Sequence, residues 1–264
     1  MATGGPTVTV ITTITTNPTA IRVIPITMIM PTIMTTGITI TTIITATTMI
    51  TVIPTDLHSP ALLQMAQVVS PAFPVGSFSY SGGIEAAVAR RMIRGPEELQ
   101  GWLGTVLETG GLWTDAVLMA AAYRDENVAD LALALIPAAP RRQEALETGQ
   151  ALVRHACQLW PVTVAEAAYP VALGQLGKAM DWPLVPLLQL HLQAQLSNMV
   201  INATRVMALG QARTQGMISD LSEQVLEVAS KAATSTVDDL GGFAPLADVA
   251  AQSHETLGTR IFRS

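Results

Sequence analysis

The sequence predicts an all-α protein: a single globular bundle of about eight to ten helices, preceded by a low-complexity N-terminal extension. Three observations carry this reading. Beyond the extension, apolar residues recur at three- and four-residue spacing, as in Leu99, Trp102, Leu103, Val106 and Leu107. Prolines stand where first helical turns are expected, at Pro60, Pro96, Pro183 and Pro186. The stretch 184–209, through Leu187, Leu188, Leu192, Leu196, Val200, Ala203 and Met207, is apolar around most of its circumference, as a central helix must be.

The chain divides at residues 1–56 and 57–264. Mean hydropathy is +0.41 and only 13% of residues are charged, which looks membrane-like until the distribution is examined. Residues 1–55 hold one charge, Arg22, so the remainder carries all 20 acids and 13 of the 14 bases. Within residues 32–53, ten threonines break the apolar runs, which argues against a membrane span. No secretory signal is recognisable there either. The segment reads as a disordered Thr/Ile-rich extension, or as an out-of-frame translation of a His/Asp-rich coding region with the true start between Met49 and Thr55. The nucleotide sequence decides between these, and a neighbouring frame without a His-rich tail would sink the second account. The acidic balance argues against a nucleic-acid surface. One cysteine, Cys157, excludes an intrachain disulfide and fits a reducing compartment.

The helices follow in order. Asp56 or Ser59 is placed to cap a first helix that stops near Val69, because Pro71 disfavours helical geometry at Ser70. Next comes Ser70-Pro71-Ala72-Phe73-Pro74-Val75-Gly76-Ser77-Phe78-Ser79-Tyr80-Ser81-Gly82-Gly83-Ile84-Glu85, a rigid, shaped loop whose Phe73 and Phe78 are expected to pack into the core. A short helix through Ile84, Ala87 and Val88 ends among Arg90, Arg91 and Arg94, where cations suit the helix dipole. Pro96 opens a helix that Gly110-Gly111 breaks, and 113–123 resumes with Asp115 among apolar neighbours. Residues 141–159 read as a long helix. There His155 and Cys157, two apart, face about 200° from each other and cannot share a metal, so Cys157 is expected to be a small buried thiol. Tyr169-Pro170 opens a helix ending near Asp181. In 184–209, Ser197, Asn198, Asn202 and Thr204 are expected to find partners across a helix pair. Residues 218–233 read as one amphipathic helix, and Asp238-Asp239 as capping or surface acids. The end, His254 to Ser264, mixes two cations with apolar groups and lacks helix caps, as a fraying or partner-docked tail would.

Enzymatic signatures are missing. The sequence has no GxxxxGK[ST], no GxGxxG, no G-x-S-x-G, no HExxH and no CxxC, and its four histidines are scattered. No catalytic residue and no metal ligand is assigned. The enzymatic alternative is a site of loop residues, Tyr80, Ser81 and Glu85, although no base or oxyanion constellation accompanies them.

SPAFPVGSFSYSGGIEAAV resembles the N-terminal signature of the urease accessory protein UreF family. PVALG (170–174), VDDLG (237–241), PLADVA (245–250) and HETLGTRIFRS (254–264) resemble later family segments in the same order. Departures are modest: Ser77, Gly82, Ile84 and Leu257-Gly258 differ from the usual family residues. The resemblance implies an all-helical cytoplasmic protein with no catalytic site of its own. It implies a homodimer that bridges UreD/UreH and the GTPase UreG, delivers nickel to apo-urease and modulates GTP hydrolysis, and that has no nucleic-acid or membrane partner. Nickel and GTP would be handled by partner proteins, with no cofactor bound directly. Partner-binding residues implied this way are His254, Glu255, Thr256, Arg260, Ile261, Phe262, Arg263 and Ser264 in the tail, with Tyr80, Ser81 and Glu85 in the loop. Phe262 and Ile261 would fill a groove while Arg260 and Arg263 pair with carboxylates or carbonyls.

Overall fold

A computed structural model describes residues 60–264. The extension, its alternative start and the Asp56 or Ser59 cap lie outside the described residues. Eleven α-helices are present among the described residues and no strand: α1 (Pro60–Val69), α2 (Ile84–Ala89), α3 (Pro96–Thr109), α4 (Gly111–Tyr123), α5 (Ala129–Ala134), α6 (Ala139–Leu159), α7 (Tyr169–Ala179), α8 (Leu184–Ala203), α9 (Gln211–Asp220), α10 (Ser222–Thr234) and α11 (Pro245–Ser253). The six-residue α2 and α5 are the shortest. Proline explains many of the starts. Helices α1, α3 and α11 begin on one, and α6 and α7 carry one at the second position, where the missing N–H costs nothing.

Helix α8 runs through the centre, with Leu187, Leu188, Leu192, Leu196, Val200 and Ala203 fully buried. Around it lie α1, α4 and α10. Helices α4 and α7 pack closely, with Gly174 against the Met119 carbonyl, which a Cβ would strike. Gly149 likewise brings α6 onto the backbone at Ala167. Trp182 closes one end of this core: its ring meets Trp160 edge-on at 5.7 Å, and its Nε1 donates to Gln64 Oε1 at 3.1 Å.

The structure departs from the sequence reading at two helix boundaries and two side chains in the bundle. Helix α8 stops at Ala203 rather than near Leu209, because the N–H groups of Thr204, Arg205 and Val206 turn to carbonyls three residues back, a tightening that ends an α-helix. The stretch 218–233 is two helices meeting at Leu221, where the Ser222 hydroxyl donates back to the Ile218 carbonyl and bends the chain. Cys157 is exposed, since the buried stripe of α6 runs through Leu152, Val153 and Ala156 and leaves position 157 facing solvent. Phe78 is 43% exposed while Phe73 is buried, so only one of the two loop aromatics fills the core. Asp239 does cap: its carboxylate accepts from the Thr236 N–H at 2.8 Å, and the Thr236 hydroxyl accepts from Asp238.

Candidate functional site

The loop at residues 70–83 is held open by glycine and gripped from below by α8. Gly82 and Gly83 both take left-handed φ, 64° and 86°, a conformation that costs glycine little. Gly83 also lies against the backbone of Ala251 in α11, where a Cβ would sit 3.1 Å from its nitrogen. Asn198 donates to the Ser77 carbonyl at 3.2 Å, and buried Asn202 donates to the Tyr80 carbonyl at 2.7 Å. The two asparagines of the central helix therefore serve the loop rather than a helix pair. Thr204 is satisfied within its own helix, on Ile201 O. Loop carbonyls inside a bundle lack a secondary-structure partner, and an amide on the nearest helix is the simplest donor.

Against this loop lies the C-terminal tail, which is not frayed. Arg263 N–H donates to Ser79 O at 2.7 Å, and Ser81 N–H donates to Ser264 O at 2.9 Å. The Ser81 hydroxyl donates to that same Ser264 oxygen. Glu85, 6% exposed at the start of α2, is the centre of the arrangement. Its carboxylate accepts from Ile261 N–H at 2.6 Å and from Phe262 N–H at 3.1 Å, and its Oε2 lies 2.9 Å from Nε2 of fully buried His254. A carboxylate offers about four lone-pair sites, and here three donors use it, which supports a buried charge that would otherwise be expensive.

A second, more exposed pairing flanks the first. Tyr80 hydroxyl donates to Glu147 Oε2 at 2.6 Å, while Arg263 grips the same carboxylate through both nitrogens at 2.7 and 3.0 Å. The guanidinium also lies 5.3 Å from the Tyr80 ring centre. The hydrogen bond from Tyr80, then those from Gln143 and Arg263, hold the Glu147 carboxyl down at about 2. Burial, and next the bond to Glu147, push the Tyr80 phenol well above its usual range. Ser264 Oγ donates to Glu144 at 2.8 Å, Arg90 donates to Thr256 Oγ1 at 2.9 Å, and Arg205 caps the Phe262 ring at 4.6 Å.

Every loop and tail residue singled out in the sequence therefore falls in one place, but facing two ways. Tyr80, Ser81, Glu85, His254, Phe262 and Ser264 point inward and are buried. Glu255, Thr256, Arg260, Ile261 and Arg263 are exposed. Phe262 is 4% exposed and fills a pocket of its own chain, not a groove free for another protein. Residues the sequence reading did not assign to the site are Glu147, Glu144 and Arg205. Nothing in their spacing on α6 and after α8 relates them to a loop and tail so distant in the chain.

Chemically, the arrangement holds a peptide segment. The Ser81 hydroxyl is engaged by an oxygen of Ser264, the last residue, and the oxygens of Tyr80 and Glu85 are committed to the partners above. Among the described residues, no group of three or more His, Cys, Asp or Glu is placed to hold a metal. A cavity of about 310 Å³ lies nearby, lined by residues that include Tyr80, Asp115, Arg141, Tyr169, His191 and Asn198. Burial drives the Asp115 carboxyl up to about 6, with Arg141 pulling the other way. Buried His191, with neither ring nitrogen paired among the described residues, is driven down to about 4.

A UreF family profile matches residues 93–222. The urease accessory protein UreF of Rhizobium leguminosarum bv. trifolii (strain WSM2304) is 40% identical over 216 residues, covering 77% of this chain and 96% of the relative. The chain belongs to the UreF family. The UreF of Agrobacterium fabrum (strain C58 / ATCC 33970) is also 40% identical over 216 residues, with the same coverage. That of Ruegeria sp. (strain TM1040) is 38% identical over 212 residues, covering 78% of this chain and 99% of the relative. Residues 93–222 carry most of the helical core of this UreF family member, while the loop at 70–85 and the tail at 254–264 fall outside that match. Among the described residues, no helix is long and apolar enough to cross a membrane.

Proposed function

We propose that this chain is a non-enzymatic scaffold for urease maturation. It bridges UreD/UreH and the GTPase UreG, supports nickel insertion into apo-urease, modulates GTP hydrolysis by UreG, and works as a homodimer in the cytoplasm. Family membership supports the urease pathway, since the relatives are named urease accessory proteins. The observation that carries the scaffold reading is the joining of the loop and tail motifs into one peptide-holding element whose polar atoms bind chain segments and leave no reactive group aimed at a substrate. Nickel and GTP are cargo and substrate of the assembly, handled by the partners.

Co-purification tests this. The full chain is expected to capture both UreD/UreH and UreG, and capture of neither would make the scaffold reading wrong. Deleting residues 254–264 is expected to abolish UreD/UreH capture with helical content nearly unchanged, since the deleted segment lies beyond the last α-helix. Loss of the helical signal instead would make the tail a part of the fold.

A further inference from the structure

The cavity in the bundle is lined by polar atoms that the fold leaves unused. Its volume of about 310 Å³ has room for a small organic molecule. His191 lines it from α8, is 1% exposed, and pairs neither ring nitrogen among the described residues. On the same helix, Asn198 spends its amide nitrogen on the Ser77 carbonyl, while its buried Oδ1 accepts nothing among the described residues. Asp115 lines the cavity from α4 and accepts no hydrogen bond among the described residues. Buried polar groups of a folded chain are normally paired, so three such groups around one space mark it as a site for a polar ligand.

The charges set the sign of that ligand. Asp115, Glu144 and exposed Asp248 line the cavity against a single cation, Arg141. Arg141 is engaged by Glu144 at 2.8 Å, which leaves the Asp115 carboxyl as an inner acid without an ion-pair partner. The uncommitted groups are mostly acceptors: the carboxylate, the Asn198 oxygen and one nitrogen of a neutral imidazole. The Tyr169 ring, its centre 5.8 Å from that of His191, adds a π face that favours a cation. A bare metal ion is poorly served, because among the described residues no group of three or more His, Cys, Asp or Glu is placed to hold one. The apolar lining, with Val69, Leu112, Ile136 and Met199, suits an organic body instead.

We infer that this cavity binds a small organic cation, a planar amidinium or guanidinium head on an apolar body, with Asp115 as its counter-ion and His191 and Asn198 as acceptors. A planar N–H fork matches a carboxylate with two parallel bonds, which a compact ammonium cannot do. The site requires neither partner proteins nor the clasp, so it stands or falls separately from the scaffold reading.

The test uses the full chain and three probes of one shape but different charge: benzamidine, benzamide and benzoate. Calorimetric titration at pH 7.5 is expected to show saturable binding of benzamidine, binding of benzamide at least about tenfold weaker, and none of benzoate. Asp115→Asn removes the counter-ion and is expected to weaken benzamidine at least about tenfold with circular dichroism unchanged. Should that variant fail to fold, the wild-type chain still locates the probe: the ¹⁵N resonances of the His191 ring are expected to move as benzamidine saturates. No saturable binding of benzamidine would overturn the inference. So would benzamide or benzoate binding as tightly, full affinity in a folded Asp115→Asn, or benzamidine binding that leaves the His191 resonances in place.

Discussion

The helical core and the loop-tail clasp are held together by opposite means. At the α4–α7 and α6–α7 contacts, Gly174 and Gly149 permit close approach, and α8 contributes a nearly continuous apolar surface. Such packing is non-directional but closely fitted, and strong because it is extensive. In the clasp, a few directional bonds onto Glu85 and Glu147 fix a short segment with little apolar area beyond Phe262. The lesson is a separation of tasks: the core sets stability, and the clasp sets the shape of an edge.

Substitutions should break that comparison in order of size. Trp182→Ala removes the largest fully buried side chain and is expected to cost about 3–5 kcal/mol in denaturant unfolding, while the fraction still folded captures UreD/UreH normally. Glu85→Ala strands two backbone N–H groups and buried His254, and is expected to cost about 2–4 kcal/mol while releasing the tail. A mutant at either site that damaged both properties equally would show that the two regions are one cooperative unit.

Acid titration sharpens the contrast within the core. His191 has its folded pKa lowered to about 4, against about 6.5 when unfolded, so its contribution is fully present above pH 6.5. That contribution is lost as pH falls toward 4, by about 2–3 kcal/mol, because the unfolded state takes up the proton first. Asp115, raised to about 6, acts in the opposite direction: the folded state holds the proton more tightly, so stability rises as pH falls from about 6 toward 3.8. Unfolding followed from pH 7 to pH 4 in His191→Gln and Asp115→Asn should therefore steepen in the aspartate variant and flatten in the histidine variant. Equal slopes in both would remove this assignment. The smallest effect is expected at Arg94→Ala, which breaks a solvent-exposed pair with Glu98 and should leave the unfolding midpoint unchanged within error.

Much of the fold was legible because helices declare themselves locally. Pro60, Pro96 and Pro170 mark starts, and the stripe of Leu99, Leu103, Val106 and Leu107 marks a buried face. What escaped depends on distance in the chain or on single hydrogen bonds. The end of α8 turns on N–H groups that find carbonyls three residues away rather than four, and the break at Leu221 on one serine hydroxyl. No apolar pattern encodes either. For the site, the loop and tail were both visible as unusual segments and as family motifs, yet their union was not. Glu85 and Ile261 are 176 residues apart, and only the packing of α2 against α11 brings them together. Phe262 illustrates the limit: composition shows an aromatic beside arginines, but not whether it faces its own chain or another.

The state of the tail in the free protein tests the separation of core and clasp most directly. Amide hydrogen exchange on the full chain without partners reads it at Ile261 and Phe262. Both amides donate to a buried carboxylate, so they are expected to exchange at least about tenfold more slowly than exposed Gly258, with that protection lost in Glu85→Gln. Unprotected amides at Ile261 and Phe262 in the wild-type chain would contradict it.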